Sequence, residues 1–347
     1  MDQTPALVPS PHPQPAAHVP ALRRIFFNQV ELRAGWRLLI FLAVLMASPD
    51  RTFLFNLVGP RASHNTNSPI PAEIETPPEG NQTDELDPWT FINSDGFGFI
   101  VLVLVTAVMA VIETREPGYY GLPVNAAFRG NFWLGCLWGF GAISVLLLSL
   151  RADHNFAYGL AALHGWSVVR SAFLWAVAFL LVGLFEEFLL RGYAQFTLTV
   201  GIGFWPAALL SSLVFASLHR NNPGESVFGL CQIVLIGLFL CFTLWRTGTL
   251  WFAVGFHAAW DWAQSFFYGT PDSGVLAQDH LLHSAFTGPD WLTGGTVGPE
   301  GSVLLTPLLL LLCVAFYLAF PNRAPYPDPE AIHPAQTPHL PQTTLGI

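Results

Sequence analysis

Three short stretches of this chain set acids, bases and a cation among residues that are otherwise almost wholly apolar. Glu186 and Glu187 precede Arg191 in Phe185-Glu186-Glu187-Phe188-Leu189-Leu190-Arg191-Gly192. His219 closes the run from Phe215, and His257 and Asp261 share Gly255-Phe256-His257-Ala258-Ala259-Trp260-Asp261-Trp262. On a helix, residues four apart share a face. Arg191 can therefore hold Glu187 ionised through a charge-assisted hydrogen bond, while Glu186, about 100° further round, points elsewhere. Asp261, likewise four residues from His257, can orient or charge that imidazole. A carboxylate able to accept a proton, with imidazoles on neighbouring helices, is equipment for activating water. Each stretch alone has a plainer reading: an interfacial ion pair at Glu187 and Arg191, an interfacial His219 beside Arg220, or a structural polar pair at His257 and Asp261.

The elements that carry these residues are membrane helices. Of the 347 residues, 52% are hydrophobic and 11% charged, where soluble domains carry about 25% charged residues. The apolar residues fall into eight blocks, at 36–48, 97–113, 132–150, 169–190, 203–219, 227–245, 249–268 and 302–320. Most approach the ~20 residues that cross a bilayer core. The expected fold is therefore all-α and polytopic, with about eight transmembrane helices around a polar intramembrane cavity. An ionisable group at that depth costs at least ~2.5–3.5 kcal/mol, so the three polar stretches are functional candidates by default. The block at 36–48 is the weakest, and Glu31, Arg33 and Arg37 interrupt the layout of a cleaved signal peptide there.

A Pro-rich leader over 1–22 and a Pro-rich tail over 321–347 flank a membrane domain at 23–320 with an exposed polar loop at about 50–96. Asn81-Gln82-Thr83 in that loop fits a glycosylation sequon. All 14 basic residues are Arg and the net charge is −9, so no basic block points to nucleic acid. The all-Arg basic set leans towards a GC-rich, bacterial genome and hence a bacterial cytoplasmic membrane. Alternating the loops puts nine arginines (23, 24, 33, 37, 115, 129, 191, 246 and 323) on one side and five (51, 61, 151, 170 and 220) on the other. Both termini are then expected to be cytoplasmic. The four cysteines lie inside apolar blocks without CxxC spacing and read as packing residues.

In their order on successive blocks, Glu186-Glu187-xxx-Arg191, Phe215-xxx-His219 and His257-xxx-Asp261 resemble the CAAX-protease and bacteriocin-processing family, across about residues 130–268. The resemblance implies an intramembrane endopeptidase in which Glu186 activates water with help from His219. His257 and Asp261 would stabilise the oxyanion, and Glu187 and Arg191 would support the site. The eukaryotic members have Asn where this chain has Asp261. An ionised Asp cannot donate to an oxyanion, so Asp261 stays protonated, orients His257 or ligates a metal. In the last case His219, His257 and Asp261 would suit zinc, although no HExxH pattern is present.

The expected partners are membrane lipid and a peptide or protein substrate. It would reach the site from the membrane or from the cytoplasmic face, where the arginine-rich end of the Glu186 helix lies. A non-enzymatic binding or regulatory protein of the same fold and a proton-coupled transporter are the competing readings. No internal repeat favours the transporter.

Overall fold

Hydrocarbon offers no partner to a peptide group, so apolar segments close their hydrogen bonds internally as helices. The computed structural model describes residues 26–27, 32–47 and 85–322. The expected leader, the Asn81 sequon, most of the 50–96 loop and all but two residues of the 321–347 tail lie outside these residues. Each of the eight apolar blocks is helical: α1 (Ala34–Met46), α2 (Pro88–Ile112), α3 (Gly130–Ala152), α4 (Trp166–Arg191), α6 (Phe204–His219), α7 (Val227–Thr247), α8 (Trp251–Asp261) and α9 (Leu305–Ala319). The additional α5 (Tyr193–Ile202) continues from α4. The protein is a polytopic, all-α membrane protein.

Local chemistry sets the boundaries. Asp87 caps α2 by accepting from the backbone N–H groups of Trp89 and Thr90, at 2.8 and 3.3 Å, with Pro88 in the first turn. Gly192 breaks the helical path immediately after Arg191, and Gly203, at φ +83°, turns the chain from α5 into α6. α8 passes without interruption into a π-helical turn over Trp262–Phe267. Among the described residues, four stretches are long and apolar enough to cross a membrane: Pro88–Ile112, Gly130–Ala152, the joined Trp166–Ile202 and Val227–Thr247. Ala34–Met46, Phe204–His219 and Leu305–Ala319 are apolar but shorter. The 13 residues of α1 rise only about 20 Å, less than a ~30 Å hydrocarbon core.

Glycines allow α3 and α8 to pack at backbone distance. A Cβ at Gly135 would stand 2.2 Å from the Phe252 carbonyl oxygen, and one at Gly139 would stand 2.1 Å from that of Phe256. From the other side, a Cβ at Gly255 would meet the Phe132 carbonyl oxygen at 2.2 Å. This is the small-xxx-small device of membrane helices, which replaces the missing hydrophobic drive with close van der Waals contact. Ile143, Leu147, Phe252, Phe256 and Phe316 continue the core beside it. Large apolar side chains such as Leu104, Val111, Leu137 and Leu311 point outward, as lipid-facing positions should.

The loops sort to two ends of the helix array. At one end, Glu85–Leu86 pairs in parallel with Leu276–Ala277, and Phe156–Ala157 pairs antiparallel with Ala285–Phe286. Segment 220–226 packs there too, with Pro223 and Gly224 against Gly274 and Thr296. At the opposite end the Glu113 carboxylate gathers four groups. Arg37 Nη1 donates to it at 2.9 Å and the Tyr120 hydroxyl at 2.8 Å; Tyr193 donates to its other oxygen, and Arg115 Nε lies at 3.6 Å. This cluster joins α1, α2, the following turn and α5. Arg37, Arg115, Arg191 and Arg246 are all engaged inside the protein, the last donating to the Tyr317 carbonyl oxygen at 3.2 Å.

Gly141, two residues beyond Gly139 on the same helix, has nothing within 4 Å of an added Cβ. Gly139→Ala is expected to destabilise the protein by about 1–3 kcal/mol and Gly141→Ala to be neutral. Thermal unfolding in detergent checks this, and equal midpoints for the two variants would contradict the close α3–α8 contact.

Candidate active site

α4 carries three of the polar residues into the protein interior. Glu187 and Arg191 lie one turn apart and are both fully buried, and Arg191 Nη1 donates to Glu187 Oε1 at 2.8 Å. The guanidinium carbon also lies 5.1 Å from the centre of the Phe215 ring on α6, a cation–π contact in a desolvated setting. Gly237 of α7 leaves the space, since a Cβ there would come within 3.1 Å of Arg191 Nη2. Glu186 points away from this pair and lines a cavity.

α8 brings His257 to the same carboxylate. Its Nδ1 lies 2.9 Å from Glu187 Oε1. Because that oxygen belongs to a carboxylate paired with arginine, it accepts and Nδ1–H donates. A proton is thereby fixed on Nδ1, and the imidazole turns Nε2 towards the cavity carboxylates. Glu186 Oε2 lies 3.8 Å from Nε2, and Asp261 Oδ2, one turn along α8, lies 3.4 Å from it. Glu187, from another helix, thus holds His257 at Nδ1, where spacing offers Asp261 to orient or charge the ring. Asp261 instead shares the cavity face of the ring.

His219 belongs to the same cavity but reaches it from the end of α6. Its Nδ1 lies 2.9 Å from the Phe215 carbonyl oxygen, an acceptor, so Nδ1–H donates and Nε2 remains the basic nitrogen. The Phe215 ring is 4.6 Å from the His219 ring centre and 6.4 Å from that of His257. Five of the six expected residues therefore form one connected array, and the sixth stands on the wall of the same cavity. Among the described residues no three His, Cys, Asp or Glu side chains are placed to hold a metal ion together. The zinc set of His219, His257 and Asp261 is thus not assembled as a ligand cluster.

The cavity has a volume of about 110 Å³, against the ~10–15 Å³ that one water needs. Its walls combine apolar rings, such as Trp175, Phe179 and Trp260, with polar groups absent from the sequence expectation, Glu225, Asp272 and Glu300. Gln264, in the π-helical turn, positions part of that wall. It accepts from Trp260 Nε1 at 2.8 Å and donates to the Pro271 carbonyl oxygen at 2.7 Å and to Glu300 Oε2 at 2.5 Å. Glu300 also receives the Ser273 backbone N–H at 2.6 Å. Burial, and then the neighbouring Asp272 carboxylate, holds Glu300 well above the usual carboxylate range. These acids lie in loops that compositional reading treats as solvent-facing: the loop after the π-helical turn brings Asp272 and Glu300 to the cavity, and the 220–226 connection brings Glu225. All the loop residues that line the cavity belong to the 262–304 end of the helix array.

A polytopic helical protein with acids and imidazoles around a cavity with room for water is the class that these features define. Within it, residues 168–263 match the family model of the type II CAAX prenyl endopeptidase Rce1-like proteins. The matched stretch runs from the first turns of α4 to just past α8 and contains all six residues. No curated protein and no solved structure matches the chain.

Arg191→Met would leave Glu187 charged, buried and paired only with His257. A loss of about 3–5 kcal/mol is expected, the cost of breaking a buried pair from one side. The double variant Arg191→Met with Glu187→Leu should recover a large part of that loss. Detergent unfolding of both proteins checks this, and additive destabilisation would mean that the pair does not act as a unit.

Proposed function

We propose that this chain is an intramembrane endopeptidase that hydrolyses a peptide bond with water activated by Glu186. The observation that carries the reading is the split between two adjacent glutamates. Glu187 is neutralised by Arg191 and committed to His257, while Glu186 faces a cavity with room for water. The match of residues 168–263 to an endopeptidase family supports the same conclusion.

In this reaction Glu186 accepts a proton from water as the oxygen attacks the scissile carbonyl carbon. The carbonyl oxygen becomes an oxyanion, and His257, carrying protons on both nitrogens, donates to it from Nε2. Glu187 holds the ring in place through Nδ1 and supplies a compensating charge. Collapse of the intermediate breaks the C–N bond, and the departing amine takes the proton from Glu186, relayed through His219. Asp261, on the same side of His257 as Glu186, keeps the imidazole ring between two carboxylates.

Glu186→Gln in the purified, reconstituted protein should lower cleavage of a mixed peptide library by about 10²–10⁴-fold, the range for losing a positioned general base. The unfolding midpoint should stay near that of the wild type. Retained cleavage would remove Glu186 from the chemistry. Glu186-dependent proton flux into proteoliposomes, with no cleavage by the wild type, would identify a transporter instead.

A further inference from the structure

Two further imidazoles meet outside the cavity, in the segment that follows the π-helical turn. His280 is buried and His283 is exposed. His280 Nδ1 lies 2.7 Å from the Ala277 carbonyl oxygen, which can only accept, so Nδ1–H donates. The lone pair of the neutral ring then sits on Nε2, which faces His283 Nδ1 at 3.2 Å with the two rings at 85°. The backbone around the pair is held from several sides. Gln278 N–H donates to the Leu86 carbonyl oxygen at 3.0 Å, Leu281 N–H to that of Phe266 at 2.7 Å and His283 N–H to that of Leu160 at 3.1 Å. A Cβ at Gly269 would stand 2.6 Å from His280 Cδ2, so the chain passes against the ring itself. Neither imidazole lines the cavity, although Ala277, whose carbonyl fixes His280, does.

We infer that His280 Nε2 and His283 Nδ1 are the protein ligands of a divalent transition-metal site of the zinc type, separate from the catalytic array. Both lone pairs can be presented at once. Ala277 keeps the His280 proton on Nδ1, and the exposed His283 can carry its own on Nε2, in water. A ring N–H committed to a backbone carbonyl is the arrangement that orients metal-bound histidines. With Zn–N distances of about 2.0–2.1 Å, nitrogens 3.2 Å apart subtend about 100° at the ion, close to tetrahedral. The ring centres are 5.1 Å apart, less than a head-on approach of the two nitrogens would give. The rings are thus bent off the N–N line, as shared coordination requires and a straight N–H···N bond does not. Among the described residues no third His, Cys, Asp or Glu joins them, so water completes the coordination. The ion closes the turn from Ala277 to His283 and braces the loop that forms this part of the cavity wall.

The test titrates Zn²⁺ into full-length protein purified on a tag without histidine, and calorimetry reads its affinity for the wild type, His283→Asn and His257→Ala. Because His283 is exposed, its replacement leaves the packing of the loop in place. The wild type and His257→Ala should share a Zn²⁺ site that His283→Asn weakens at least about tenfold. Zn²⁺ should raise the unfolding midpoint of the first two proteins and leave that of His283→Asn where it was. Bound Cu²⁺ should show two nitrogen ligands by electron paramagnetic resonance in the wild type and one in His283→Asn. No Zn²⁺ binding by the wild type, equal binding by His283→Asn, or a loss confined to His257→Ala would overturn the inference. The pair would then be an imidazole–imidazole hydrogen bond only. None of these measurements reads cleavage, so the metal site and the endopeptidase reading stand or fall separately.

Discussion

Everything polar in the centre of this protein depends on the contact between Arg191 and Glu187. Both side chains are fully buried, 2.8 Å apart. An ion pair so placed adds little stability relative to a well-packed apolar pair, but losing either partner strands a charge in a medium that cannot solvate it. The pair acts chiefly as a fixed point. Because arginine holds Glu187 ionised, the carboxylate can only accept, and that property fixes a proton on Nδ1 of His257. One charge on α4 thus sets the chemistry of a ring on α8, and the close α3–α8 packing at Gly135, Gly139 and Gly255 holds that ring at its height.

The second fixed point is Gln264. A π-helical turn is uncommon and tends to occur where a side chain must be redirected. Here it brings the Gln264 amide to bonds with Trp260, Pro271 and Glu300 at once. The carboxamide binds the loop to the helix that bears His257 and Asp261. Trp175 Nε1 contributes from α4 by donating to the Gln278 carbonyl oxygen at 2.8 Å. The loop is consequently part of the cavity wall, and its acids are as much a feature of the site as those on the helices.

Much of this was legible in the sequence, for physical reasons that can be named residue by residue. A charge inside an apolar block is conspicuous because it is costly, so Glu186, Glu187, Arg191, His219, His257 and Asp261 stood out against a nearly uniform background. Spacing correctly paired Glu187 with Arg191, since both lie on one helix. It could not find the Glu187–His257 bond, which joins residues 70 apart in sequence and exists only because α4 packs on α8. It offered Asp261 to orient or charge His257, and Asp261 does lie 3.4 Å from Nε2, while Nδ1 is taken by Glu187. Glu113 escaped notice at the end of its block, where a charge looks interfacial, yet it collects two arginines and two tyrosines. Glu225, Asp272 and Glu300 were hidden by the opposite effect: in polar loops an acid carries no signal of its own.

The adjacent pair Glu186-Glu187 shows how one helical step can separate two identical side chains. If both faced the same space, their charges would repel and one would retain a proton, as in sites built from paired carboxylates. The 100° rotation between neighbours on a helix avoids this. It sends Glu187 into the protein, where Arg191 and His257 consume its charge, and Glu186 into a cavity large enough for water. The interior residue can then be exacting about geometry because it need not change protonation, while the cavity residue is left to exchange a proton. In the proposed mechanism the base that moves protons and the scaffold that must not move them are separate groups, on two consecutive residues.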